Sequence, residues 1–323
     1  MLILSKKQEI QKSLLYISYL FNQLMLQAKR KILFALLFAT SIFTNKSFSK
    51  PQETLTIGAI PDQNPEILNR LYKVLSNEIS DQLDVKVQYK PVISYPAAVT
   101  AFRTGNLDLV WFGGLTGVQA RLQTKGSQVL AQREIDAKFH SVFIANSKSG
   151  LPKINRVSDL KLLKGKRFLF GSESSTSGRL MPQHYLNQSG VQISDFVGGN
   201  PGFSGSHDAT IKLVESGTYE AGALNEQVWK ARLLEGKTNP SKVKVIWRTP
   251  PYHDYHWLAR PDLDKRFGNG FTSRLRKTLI SFNKENPRQK IILEAFGAEK
   301  FITSESKNYV EREKIGRKIG KIK

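Results

Sequence analysis

The 323-residue chain contains no cysteine. Its absence excludes disulfides, thiolate metal sites, a cysteine nucleophile and a lipid-bearing cysteine behind an export signal. A membrane-spanning run is missing as well. The apolar stretch from Ile32 to Phe43 covers about 12 residues, too few for the roughly 30 Å of hydrocarbon in a bilayer. No G-x-S-x-G elbow, P-loop or H-E-x-x-H motif occurs, and the S-x-x-K matches at Ser158 and Ser304 lack their companion motifs. Acidic residues are few: 27 Asp and Glu face 49 Lys and Arg, a formal charge of +22. Seven basic residues and one acidic residue lie before Lys50, and the remaining basic residues are scattered. A diffuse positive field attracts anions in general and lacks the clustering of a nucleic-acid footprint.

The rest of the composition, 40% hydrophobic and 24% charged, is that of a globular protein long enough for one large or two medium domains. Lys29, Arg30 and Lys31 precede the apolar run, and Ser47 and Ser49 flank Phe48 beyond it. That order is a signal peptide's. Residues 1–49 are therefore expected to direct export, leaving a free and unacylated mature protein. Met25, just before the basic cluster, is an alternative translation start.

After Glu53, short β-rich runs alternate with helical patterns, which predicts a layered α/β architecture. Strands are expected at Thr54 to Ile60, Val85 to Val92, Leu107 to Phe112, Ser141 to Ala145, Arg167 to Phe170, Tyr219 to Leu224 and Val243 to Trp247. The clearest helix starts with Asn64 as cap and Pro65 in its first turn, and Ile67, Leu68, Leu71, Val74, Leu75 and Ile79 share one face. Others are expected at Tyr95 to Arg103, Gly114 to Leu122, Ser206 to Val214 and Glu226 to Leu234. Pro261 to Lys323 reads as helices without a strand, packed back on the first half. No flexible linker is evident, so two lobes would be joined by crossing strands that permit hinge closure.

Several segments suit an oxyanion. Phe170 to Leu180 runs from a strand end through the hydroxyls of Ser175, Thr176 and Ser177 into a helix start, where unpaired N–H groups and the dipole favour an anion. Pro182 would bend a helix begun at Ser177. Phe203 to Thr210 repeats the theme with His207 as a further donor. Tyr95 opens a helix after a strand, and Trp111-Phe112-Gly113-Gly114 passes through a glycine turn into another. Asp254, among the aromatics of Pro250 to Trp257, would repel an anion unless that anion carries a proton to share. Each segment also has a plain structural reading: a packed ring, a tight turn, an ordinary Ser cap, an exposed histidine, a turn-forming aspartate.

Taken in order, Ile60-Pro61-Asp62, Tyr95-Pro96-Ala97-Ala98-Val99, Trp111-Phe112-Gly113-Gly114, Ser174-Ser175-Thr176-Ser177-Gly178, Ser204-Gly205-Ser206-His207-Asp208 and Asp254-Tyr255-His256-Trp257 resemble the periplasmic phosphonate- and phosphite-binding proteins of ABC transporters. The resemblance spans about Thr54 to Trp257, and one branch of it is often labelled selenate-binding. It implies a type II periplasmic-binding fold with ligand in a hinge cleft. One lobe would comprise 53–140 with 251–323, the other 141–250. It implies a ligand site of Tyr95, Ser175, Thr176, Ser177, His207 and Asp254, with His140 replacing a family tyrosine. Where aminoalkylphosphonate binders carry a second acidic residue for the ammonium, the matching stretch offers Gln227 and Trp229. The expected ligand is thus phosphite or a small amine-free phosphonate such as methylphosphonate, with phosphate or selenate as alternatives. The expected partners are the permease and its ATPase, and the expected state is a monomer without cofactor, metal or nucleic acid. An enzyme on the same fold is the rival reading. Sequencing the amino terminus of the precursor is expected to begin at Met1 or, for a start at the internal methionine, at Met25.

Overall fold

The computed structural model describes residues 12, 14–29 and 53–323. The chain divides after Pro51 into two units. In the first, residues 14–29 are helical and exposed; the expected apolar run and its flanking serines lie outside the described residues. Among the described residues no helix is long and apolar enough to cross a membrane.

The second unit is built on two sheets. The first contains β1 (Thr54–Ala59), β2 (Lys86–Tyr89), β3 (Leu109–Phe112), β4 (Gln128–Arg133), β10 (His256–Ala259) and β11 (Phe301–Thr303), in the order β11-β4-β10-β3-β1-β2. β1 pairs in parallel with β2 and β3, and β10 runs antiparallel between β3 and β4. The second sheet contains β5 (Ser141–Asn146), β6 (Phe168–Phe170), β7 (Gly202–Phe203), β8 (Ala221–Asn225) and β9 (Val243–Arg248), in the order β7-β6-β8-β5-β9. One large apolar cluster serves the first sheet and includes Ile57, Leu75, Phe102, Phe112 and Trp257. The second sheet carries a cluster around Phe143 and Phe168 and another around Ile211 and Leu224. These are two α/β lobes, each with its own core.

Helices follow the expected periodicity. α1 (Pro65–Leu83) begins at Asn64, whose side chain accepts from the Glu66 N–H, and it buries Leu68, Leu71, Leu75 and Ile79. α2 (Tyr95–Arg103) and α3 (Gly114–Gln123) follow β2 and β3; α4 (Met181–Gln188), α5 (His207–Glu215) and α6 (Glu226–Leu234) belong to the second lobe. The carboxy-terminal part supplies α7 (Leu263–Phe267), α8 (Phe271–Ile280), α9 (Pro287–Phe296) and α10 (Val310–Lys318) to the first lobe. It also contains β11, which pairs with β4. The expectation of a strand-free carboxy-terminal segment is therefore corrected: three residues, Phe301 to Thr303, give too short a run for a period-2 pattern to show.

The chain crosses between lobes twice, after β4 and after β9. The crossings are pinned together by reciprocal backbone bonds, Phe139 N–H to Tyr252 O at 2.8 Å and Tyr252 N–H to Phe139 O at 2.9 Å. Ser141 and Tyr252 hydroxyls add a side-chain bond of 2.7 Å. Beside this joint lies a buried ion pair: Arg133 Nε and Nη2 each donate to Asp136 at 2.7 Å, and Nη1 donates to the Phe296 carbonyl at 2.6 Å. The guanidinium also covers the rings of Trp111, Phe139 and Tyr255. Removing one partner of such a pair leaves an uncompensated buried charge. Asp136→Ala is accordingly expected to destabilise the protein by about 3–5 kcal/mol in urea unfolding, with a loosened joint.

Candidate functional site

The turn after β6 is wider than an ordinary helix start. Thr176–Leu180 forms one π-helical turn before α4, with Met181 N–H bonded to Thr176 O. This insertion, common at functional sites, corrects the expectation of a helix begun at Ser177 and bent by Pro182. Pro182 instead sits in the first turn of α4, where its missing N–H does no harm. Gly178 leaves little room for a side chain at the turn. A Cβ there would stand 3.0 Å from Ser175 Oγ, 3.2 Å from Gly171 Cα and 3.2 Å from His207 Cε1.

All three hydroxyl residues are buried, but their bonds differ. Ser175 Oγ caps the turn by accepting the Gly178 N–H at 2.9 Å. Thr176 Oγ1 reaches the other lobe and accepts the Leu115 N–H at 2.9 Å. Ser177 Oγ has no protein partner.

Asp254 comes from the second crossing and is 0% exposed. Its Oδ1 accepts the Gly114 N–H at 2.8 Å, whereas Oδ2 has no protein partner. The first N–H groups of α3 are thus held by Asp254 and Thr176. Burial pushes the Asp254 carboxyl up to about 7, partly opposed by the Gly114 N–H. The carboxyl can therefore itself hold a proton near neutrality. Tyr95 opens α2, its hydroxyl buried and without a protein partner. Burial raises its ionisation well above the usual tyrosine range, so it stays a donor.

His207 is 0% exposed, and burial presses its pKa down to about 3. Its Nδ1 accepts the Asn225 backbone N–H at 3.4 Å, which leaves the proton of the neutral ring on Nε2. Nε2 faces the Tyr255 hydroxyl at 3.4 Å, and Asn225 Nδ2 donates to that same hydroxyl at 3.2 Å. The structure thus brings Tyr95, Ser175, Thr176, Ser177, His207 and Asp254 together around the junction of the lobes. His140 lies on the first crossing, and its carbonyl accepts the Glu226 N–H at 3.3 Å. Its Nδ1 donates to the Thr249 carbonyl at 2.6 Å, within the crossing strands.

Tyr255, Asn225 and Asp62 complete the junction and had no role assigned from sequence. Tyr255 stacks on Trp111 at 5.7 Å. Burial raises Asp62 to about 6 although the Tyr255 hydroxyl and Arg133 pull it down. Asp62, Tyr255, Asn225 and Gln227 line a cavity of about 530 Å³ walled by α1, α6 and α9. Of the two residues expected in place of an acidic partner, only Gln227 lies there; Trp229 packs in the second lobe's core. Acidic groups are present all the same, since Asp62 and Glu235 line the same cavity. The signal for Asp62 and Tyr255 lay within the motifs themselves, but spacing alone does not say which way a strand-end side chain points.

What the arrangement offers is a buried cluster of neutral donors beside two carboxyls of raised pKa, Asp254 and Asp62, of which only Asp62 lines the cavity. Among the described residues no group of three or more His, Cys, Asp or Glu side chains is placed to hold a metal ion.

Comparison with known proteins agrees with this geometry. Residues 57–309 match the family model described as the periplasmic substrate-binding protein of phosphonate ABC transporters. The chain is 53% identical over 283 residues to the probable ABC transporter phosphite-binding protein PhnD1 of Prochlorococcus marinus strain MIT 9301, covering 88% of this chain and 95% of that one. The solved structure of that PhnD1 in complex with methylphosphonate superposes with a TM-score of 0.82 at 54% identity, over 83% of this chain and 99% of that one. A phosphate-import protein, PhnD, of Mycolicibacterium smegmatis is 28% identical over 207 residues, 61% of this chain and 63% of that one. With its two lobes, paired crossings and type II fold, this chain belongs to the periplasmic phosphonate-binding proteins of ABC transporters.

Proposed function

We propose that this protein binds phosphite or a small phosphonate such as methylphosphonate between its lobes and delivers it to an ABC permease and its ATPase. The observation that carries the reading is the set of buried polar atoms without protein partners at one junction: Tyr95 Oη, Ser177 Oγ and Asp254 Oδ2. Buried polar groups are almost always paired. An oxyanion would take hydrogen bonds from the two hydroxyls, from Ser175 and from His207 Nε2–H, and would share one proton with Asp254. Thr176 would position the turn through Leu115, and His140 would act at the joint.

The names of the relatives support this ligand class, one in phosphite and methylphosphonate, another in phosphate. The proposed organisation is an export signal over 1–49, lobes of 53–140 with 251–323 and of 141–250, and a monomeric periplasmic protein without a lipid anchor. A binding role, rather than catalysis, fits a site whose histidine is held neutral and has no activated nucleophile beside it.

Asp254 recasts the basis of selectivity, because the shared proton can come from either partner. Above about pH 7 the carboxyl is ionised and the ligand must supply it; below, Asp254 supplies it and unprotonated anions are rejected less. Phosphite or methylphosphonate is therefore expected to raise the melting temperature far more than sulfate or selenate at pH 8, with the gap narrowing toward pH 6. A ligand at a hundredfold excess over its dissociation constant adds about 2.7 kcal/mol. Asp254→Asn is expected to relax the rejection of selenate at pH 8, with a smaller effect toward pH 6; equal responses of the wild type to all anions would refute the proposal. Calorimetry against phosphite, methylphosphonate, phosphate, aminoethylphosphonate and selenate ranks the ligands directly.

The same carboxyl sets a stability test. A folded-state pKa raised from 3.8 to about 7 means that the folded protein binds the proton more tightly than the unfolded chain does. Its contribution to stability is then lost as pH rises through that window. His207 and His256, lowered to about 3 and about 4, act in the opposite sense, losing stability as pH falls below 6.5. Ligand-free Asp254→Asn is expected to gain stability over wild type at pH 8 and to gain less at pH 5, as read by urea unfolding.

A further inference from the structure

The residue after His207 makes a contact that ligand chemistry does not explain. Asp208, in the first turn of α5, is 8% exposed. Its Oδ2 accepts the Asn64 backbone N–H of the first lobe at 3.0 Å. Asn64 is the cap of α1, so the carboxylate lies at that helix's N-terminus as well as at its own. One residue earlier, the His207 N–H donates to the Asp62 carbonyl of the first lobe at 3.1 Å. Behind it, Arg232 of α6 places Nε 3.4 Å from Asp208 Oδ1.

Two helix N-termini, each with a positive dipole end, thus meet across the cleft. Without a negative charge between them they would repel. Asp208 supplies that charge, and Arg232 steadies it from within its own lobe. Asn64 and Asp208 lie on different lobes, so the bond between them exists only when the lobes are together. His207 Nε2–H, the proposed ligand donor, is carried by the same turn.

We propose that Asp208 is a positioning residue for ligand capture: it fastens the His207-bearing turn to the start of α1, so that closure and presentation of the histidine donor are one event. This rests on the binding reading above. The bond to a charged acceptor falls in the class that shifts an equilibrium by about tenfold or more. Its loss favours the open form, and a ligand leaves from the open form.

The test compares Asp208→Asn, Asp208→Ala and Asp208→Glu with the wild type by stopped-flow tryptophan fluorescence. The ligand is whichever of phosphite, methylphosphonate, phosphate, aminoethylphosphonate and selenate the wild type binds most tightly, with melting temperatures taken with and without it. A wrong ligand assignment then shows as a different member of the series, and an error about Asp208 shows in the variants. Dissociation is expected to be about tenfold faster in the Asn and Ala variants with association little changed, and to be partly restored in the Glu variant. The melting temperature is expected to fall more with ligand than without. Unchanged dissociation overturns the proposal, as does an equal loss of melting temperature in both states, the signature of a carboxylate that merely caps its own helix.

Discussion

The first turn of α3 is the constraint on which the closed molecule depends. Its N–H groups have no partners within the helix, and in a buried junction they cannot be left to water. Gly114 is satisfied by Asp254 from the second crossing and Leu115 by Thr176 from the opposite lobe. Each donor of the first lobe thereby fixes a residue of the proposed ligand pocket. Glycine at 113 is part of the arrangement, since a Cβ there would stand 3.1 Å from Thr176 Oγ1 and 3.3 Å from Asp254 Oδ1. Packing and capping are one set of contacts, shared with the proposed ligand pocket.

Around that turn, electrostatics are kept quiet. His207 is neutral, Tyr95 keeps its proton, and Arg133 is neutralised by Asp136. The formal charge of +22, of which +6 lies before Lys50, would in the proposed reading act at long range, drawing anions toward the surface, while discrimination would fall to short-range proton placement at Asp254. Attraction of this kind is screened by salt; bonds in a dry pocket are screened much less.

The sequence revealed most of the layered fold because most strands and helices obey strong periodicities; α2 and α6 have the expected limits. It failed where burial is polar or strands are short. β4 carries Gln132 and Arg133, both buried and paired, so it lacks the apolar pattern of a core strand. β10, His256–Ala259, begins within the aromatic run Pro250 to Trp257 and was not expected as a strand. At the site, hydroxyls and a histidine at helix starts were readable because helix-terminus chemistry is local. The partners of Asp254, the wall formed by Tyr255 and Asn225, and the reach of Asp208 to Asn64 depend on distant segments meeting, which no local pattern encodes.

The joint between the lobes bears on how the molecule moves. Phe139 and Tyr252 exchange backbone bonds, so the two crossings are bridged at one residue pair and are not independent tethers. Such a joint would favour rotation of the lobes over sliding. Thr176 over Leu115 and Asp208 over Asn64 would then arrive together, like two teeth of one key.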